Sequence, residues 1–170
     1  MSQVSHKPGL YTTEERARRD KTLWTLVQGV LAPVQFIAFL VSLVLVLRYL
    51  GTGQGLEAAT LSVIVKTLLL YTIMVTGSIW EKVVFGCWLF ARPFFWEDVF
   101  SMLVLGLHTA YLFAVFTHAL NPERQMLLAL TAYVTYLINA TQFLVKLRAA
   151  RLEARQMSAS GFSPVGGIAG

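Results

Sequence analysis

The amino-acid sequence predicts an all-α integral membrane protein, a bundle of four transmembrane helices with both termini in the cytoplasm. Three observations predict it. Apolar residues make up 56% of the 170 and charged residues only 14%, a balance outside that of ordinary soluble domains. The apolar residues also come in long blocks. Residues 22–47 carry no charge, 58–80 carry only Lys66, 99–122 carry none with His108 and His118 neutral, and 125–145 carry none. Each block reaches the roughly 20 residues that cross about 30 Å of hydrocarbon at about 1.5 Å per residue. Finally, the basic residues are segregated. Lys7, Arg16, Arg18, Arg19 and Lys21 precede the first block, Lys82 and Arg92 fall between the second and third, and Lys146, Arg148, Arg151 and Arg155 follow the fourth. Only Arg48 and Arg124 lie on the opposite side, which places both termini inside by the positive-inside rule.

Taken in order, residues 1–21 are expected to form a tail and an interfacial helix, with residues 1–11 lacking pattern. Thr12 and Glu15 have the spacing of a capping box, which starts a short charged helix. The transmembrane domain is expected over 22–150, with spans at 22–50, 57–82, 95–118 and 123–148. The first span follows a polar stretch, is long, and ends in no small-residue cleavage site, so it is not expected to be a signal peptide. Pro33 lies well inside it and predicts a kink. Gly51-Thr52-Gly53-Gln54-Gly55 predicts a tight turn between spans one and two. Pro93 suits the opening of span three, and Asn121-Pro122-Glu123 reads as cap and first turn of span four. The Ser- and Gly-rich residues after Gln156 predict a disordered tail, assigned to 151–170. The net charge of +5 is explained by topology and anionic lipid and gives no case for nucleic acid. Cys87 is the only cysteine, which excludes a disulfide framework and a CxxC motif.

The polar residues within the spans carry the functional signal. Trp80-Glu81-Lys82 and Trp96-Glu97-Asp98 bring three carboxylates to the junction of spans two and three, where charge is costly unless paired, hydrated or used. In span three, Glu97, Ser101, Val104, His108 and Tyr111 recur at helical spacing and share one face. Span one offers Gln28 and Gln35, span two Lys66, Gly77 and Glu81, and span four Tyr136, Asn139, Gln142 and Lys146. Most lie in the cytoplasmic half and can line one pocket. Each also has a plainer reading. The amides serve equally as interhelical hydrogen-bond partners. Glu81 with Lys82, and Arg92 with Asp98, serve as interfacial ion pairs. Lys66 is expected to snorkel to the outer surface. His108 serves as a satisfied structural histidine, and Trp80, Trp88 and Trp96 as an aromatic belt.

Trp24-Thr25-Leu26-Val27-Gln28-Gly29-Val30-Leu31-Ala32-Pro33, the segment from Trp80 to Gly86, the segment from Phe95 to Met102, and Leu107-His108-Thr109-Ala110-Tyr111 resemble the 3-vinyl bacteriochlorophyllide hydratase family of phototrophic bacteria. Asn139, Gln142-Phe143 and Lys146-Leu147-Arg148 extend the resemblance, which covers about 10–152. It implies an enzyme of bacteriochlorophyll synthesis, a hydro-lyase that adds water to the C3 vinyl group of a chlorophyllide-type macrocycle to give a 1-hydroxyethyl group. It implies no cofactor beyond the magnesium the substrate carries. It also implies a place in the inner or intracytoplasmic photosynthetic membrane, in contact with lipid, as a homo-oligomer or beside other pigment-synthesis enzymes.

The residue roles expected from that chemistry follow the charge that develops. Protonation of the terminal vinyl carbon leaves a cation beside the ring, and water attacks the inner carbon. This needs an acid, a group that positions water, and a carboxylate near the cation. Glu97 is the expected general acid, with Glu81 or Asp98 positioning water. His108 is the expected axial ligand of the substrate magnesium, with Tyr111 beyond it at the ring edge. Lys82 or Arg92 is expected to pair with the propionate. Phe94, Phe95, Trp96 and Phe100 are expected to wall the disc, and Gln28, Gln35, Asn139 and Gln142 to line its pocket. Two other classes stay open from sequence. A non-catalytic pigment-binding or photosystem-assembly protein would need His108 and the aromatics but not the acids. A proton-coupled transporter would use Lys66, Glu81 and Glu97 as a relay, though the chain has no inverted repeat.

Overall fold

The computed structural model describes residues 10–160, and among them every regular element is helical. Thr12 caps α1 (Thr13–Lys21) through the predicted box, its hydroxyl accepting from the Glu15 amide while the Glu15 carboxylate accepts from the Thr12 amide. Four helices long and apolar enough to cross a membrane follow. They are α2 (Leu23–Thr52), α3 (Leu56–Phe85), α4 (Phe95–Phe116) and α5 (Pro122–Ser160). Pro33 lies inside α2 without ending it. Gly53 and Gly55 take positive φ in the α2–α3 turn, a conformation that costs L-residues with a Cβ. The Asn121 carboxamide caps α5 by accepting from the Arg124 amide.

Two antiparallel hairpins, α2/α3 and α4/α5, make the bundle. Within the first, Gln28 donates to Thr76 at 2.7 Å and Ser42 meets Ser62 at 2.7 Å. Within the second, Asn139 donates to Ser101 at 2.7 Å. The hairpins meet along α2–α5, where Phe39 packs on Tyr133 and Tyr136 and the Ser42 hydroxyl bonds that of Tyr133 at 2.5 Å. They meet again along α3–α4 through Lys66 and His108. The core between them is Phe39, Val46, Val63, Leu70, Val104 and Tyr111 with the two tyrosines of α5. Outward faces carry exposed Leu, Val, Ile and Phe along every span, the arrangement expected where lipid replaces water as solvent.

One end of the bundle carries α1, the α3–α4 loop and most of the basic side chains, and is called here the basic end. There Tyr11 stacks on Phe85 at 5.7 Å, and Phe94 packs against Tyr11, Trp80, Phe85 and Phe143. The Trp80 indole donates to Thr25, whose hydroxyl donates to the Arg19 carbonyl, so α1 is tied to the ends of α2 and α3. Two expectations change. Leu10 and Tyr11, expected to lack structure, pack against this aromatic cluster. Helix α5 runs to Ser160, beyond the boundary at 151. The parts of the expected tails at 1–9 and 161–170 lie outside the described residues.

Candidate functional site

Helix α4 presents the predicted stripe inward: Glu97, Ser101, Val104, His108 and Tyr111 are all buried. The periodicity of the apolar and small residues around them fixes that face. Asp98 is buried too, about 100° round α4 from Glu97, with its carboxylate turned to the α3–α4 loop. There the carboxyl groups of Glu81 and Asp98, both buried, turn to the same loop. The pair holds that loop. Asp98 accepts from the Phe90 amide at 2.8 Å and Glu81 from the Ala91 amide at 3.2 Å. Phe90 has φ of 61°, which aims two successive amides at the carboxyls. Cys87 sits in the same loop, where burial and then the Glu81 carboxylate push its thiol up, away from the reactive thiolate.

Glu97 has a different partner. Its carboxylate accepts from Lys146 of α5 at 2.6 Å, and Lys146 also donates to the Pro93 carbonyl. The expected ion pairs Glu81–Lys82 and Arg92–Asp98 do not form. Lys82 turns back to the Gly86 carbonyl, and both acids instead accept from loop amides. Lys82 and Arg92 are exposed at the basic end. Trp96 and Phe95 are largely exposed, whereas Phe94 is buried in the aromatic cluster, so the four aromatics expected to wall one pocket do not share a face.

Beside the Glu97–Lys146 pair lies a recess of about 610 Å³, lined by Leu10, Glu97, Thr141, Gln142, Val145 and Lys146 among others. That volume is within the range of small-molecule sites, about 300–1,000 Å³. Inward from it, Asn139 donates to Ser101, and the Ser101 hydroxyl donates to the Glu97 carbonyl at 2.9 Å. Gln28 is engaged with Thr76 and packs beside Gly77, away from this recess. Gln35 is buried on α2 with neither amide atom bonded to protein, and the Asn139 and Gln142 carbonyl oxygens are likewise buried and unpaired.

His108 and Lys66 meet at the bundle centre. Lys66, expected to snorkel, has no exposed surface. Its amine lies 2.8 Å from His108 Nε2 and 4.1 Å from the Tyr136 ring centroid. His108 Nδ1 bonds the Val104 carbonyl at 2.8 Å. A carbonyl oxygen only accepts, so Nδ1 donates and, in the neutral ring, Nε2 accepts from lysine. Both ring nitrogens are thus engaged, and an axial bond to magnesium would require Lys66 to leave. Periodicity located His108 and placed Lys146 on one face with Asn139 and Gln142, but it missed the Glu97–Lys146 and Lys66–His108 contacts. Among the described residues no group of three His, Cys, Asp or Glu side chains is placed to hold a metal ion.

Comparison with known proteins places these residues in context. A family model described as 2-vinyl bacteriochlorophyllide hydratase matches residues 11–149. A protein of Rhodobacter capsulatus with that same name is 68% identical over 149 residues, covering 87% of this chain and 86% of its own. One of Cereibacter sphaeroides, also so named, is 67% identical over 147 residues, covering 85% and 89% respectively. No solved structure matches.

Proposed function

Since the chain belongs to the 2-vinyl bacteriochlorophyllide hydratase family, we propose that its buried Glu81–Asp98 pair protonates the substrate vinyl group and that Glu97 takes the proton released by water. The vinyl group numbered 2 in the family name is the one numbered 3 above. The protein is a membrane-embedded hydratase of bacteriochlorophyll synthesis, a hydro-lyase acting on a tetrapyrrole macrocycle.

One observation carries the assignment of roles: Glu81 and Asp98 are buried on adjacent loop amides with no cation among the described residues paired to either, a setting that favours one shared proton, whereas Glu97 is engaged in an ion pair. This exchanges the roles first expected. A carboxyl that shares a proton suits an acid, and an ion-paired carboxylate suits a base and a counter-charge. The proton from the pair bonds the terminal vinyl carbon, using the π electrons of the double bond. The inner carbon becomes a cation delocalised into the macrocycle. The oxygen of water bonds that carbon and sheds a proton to Glu97. Return of that proton to the pair through solvent restores the enzyme, and the sum is addition of one water. No redox cofactor enters this balance.

The recess beside Glu97 and Lys146 is the proposed place of the macrocycle edge that carries the vinyl group. Its propionate belongs toward the basic end, where Lys82 and Arg92 are exposed, and Trp96 offers an exposed ring face there. The basic end faces the cytoplasm in this reading, because the basic residues gather there. The membrane is the inner or intracytoplasmic photosynthetic membrane, in keeping with the pigment pathway. The test is direct. Membranes containing the protein, incubated with the vinyl macrocycle, convert it to a product one water heavier with a shifted absorption band. Membranes that bind the macrocycle and leave its mass unchanged would end the catalytic reading.

A further inference from the structure

A hydratase within a bilayer must hold its second reactant, water, where hydrocarbon excludes it. We propose that Gln35, with Asn139 and Gln142, forms the site that holds the reacting water and fixes the face of the vinyl group it attacks. The proposal rests on the hydratase reading above and deepens it.

The argument starts from orphaned polar atoms. Gln35 is only 2% exposed and Asn139 8%. Neither the oxygen nor the nitrogen of the Gln35 carboxamide bonds to protein, and the Asn139 and Gln142 oxygens are buried and unpaired. A buried amide left without a partner loses its hydration with nothing in return, and interhelical glue is by definition paired. Gln28 shows what glue looks like here, bonded to Thr76 at 2.7 Å. Gln35 does not do that work.

Register brings the orphaned groups together. Helices α2 and α5 run antiparallel, with Ser42 against Tyr133 and Phe39 against Tyr136. One further turn toward the basic end brings Gln35 on α2 and Asn139 on α5 to the same depth. Gln142 lies three residues beyond Asn139 on the same face, and it lines the recess with Glu97 and Lys146. The three amides therefore form a ladder from the recess into the bundle. Asn139 is itself oriented, since its nitrogen donates to Ser101 and leaves its oxygen free to accept. Water needs two to four polar partners in such a site, and this ladder supplies both donors and acceptors. Glu97, at its mouth, is the group assigned to take the proton that water loses. Water held on one side of the flat macrocycle attacks one face of the cation, so the new hydroxyl has one configuration.

The test is Gln35→Met, which keeps the volume and removes both hydrogen-bonding groups. Wild type in detergent is expected to give one epimer of the hydroxyethyl product. The variant is expected to melt at the same temperature or higher, bind the macrocycle within twofold of wild type, turn over at least tenfold more slowly, and give a mixture of epimers. The epimer ratio is read on product, so it reports only on folded enzyme, even if the variant is less stable. A single epimer from the variant overturns the proposal whatever its rate, and so does a mixture from wild type. Failure of the hydratase reading looks different: wild type then adds no water at all.

Discussion

Lys66 of α3 and His108 of α4 form a contact of 2.8 Å with no exposed surface on either side chain. It joins the two hairpins at the middle of the membrane. Each partner satisfies a polar group that lipid cannot, and the Val104 carbonyl holds the ring so that Nε2 faces the amine.

Removing one partner should therefore cost more than removing both. Lys66→Met leaves Nε2 without a donor and is expected to destabilise the protein by about 1–3 kcal/mol. Lys66→Met with His108→Leu should recover part of that loss, because two apolar groups replace a complete polar pair. A double-mutant cycle of melting in detergent measures the coupling. Strict additivity of the two single effects would mean that the contact carries no coupling energy.

Glu81→Gln and Asp98→Asn are each expected to lower turnover by about 10²-fold or more. The amide oxygens can still accept from the Ala91 and Phe90 amides, so the loop stays in place. Limited proteolysis of the α3–α4 loop checks that, and steady-state assays of the intact variants check the rate. Near-normal turnover in both variants would leave the pair with only its loop-holding role.

Glu97→Gln and Lys146→Met act on one ion pair and should not add. Each is expected to lower turnover by about 10²-fold, and the double variant should be little worse than the poorer single one. A double variant slowed by the product of the two single effects would show that Glu97 and Lys146 act separately.

Topology follows from the placement of charge. Reporter fusions at Gly53, in the α2–α3 turn, and at the C-terminus should report opposite sides of the membrane, with the C-terminus cytoplasmic. Fusions that report the same side would contradict the even number of spans.

Much of this architecture was legible in the sequence. The predicted spans at 22–50, 57–82 and 95–118 fall within a few residues of α2, α3 and α4, because charge-free blocks and cap residues are local signals. The buried stripe from Glu97 to Tyr111 was legible for the same reason: helical periodicity states which residues share a face. Pairing between helices was not. Glu97 could have met any basic side chain at the basic end, and its partnership with Lys146 depends on how α4 and α5 are rotated about their axes. Lys66 was misplaced because a lone lysine in an apolar run normally reaches for water. Its imidazole partner and the tyrosine rings come from helices whose proximity no local pattern encodes. The end of α5 was misjudged because Ser and Gly mark where a helix need not form, not where it stops.

The Lys66–His108 contact also sets an order of events during synthesis. Lys66 precedes its partner by 42 residues, and the tyrosine rings around its amine come later still, on α5. When the α2/α3 hairpin leaves the translocon, it carries an amine into lipid with nothing to receive it. A lone lysine at mid-bilayer costs about 2.5–3.5 kcal/mol on insertion scales. The first hairpin is thus an incomplete folding unit until α4 supplies the imidazole and α5 the tyrosine rings.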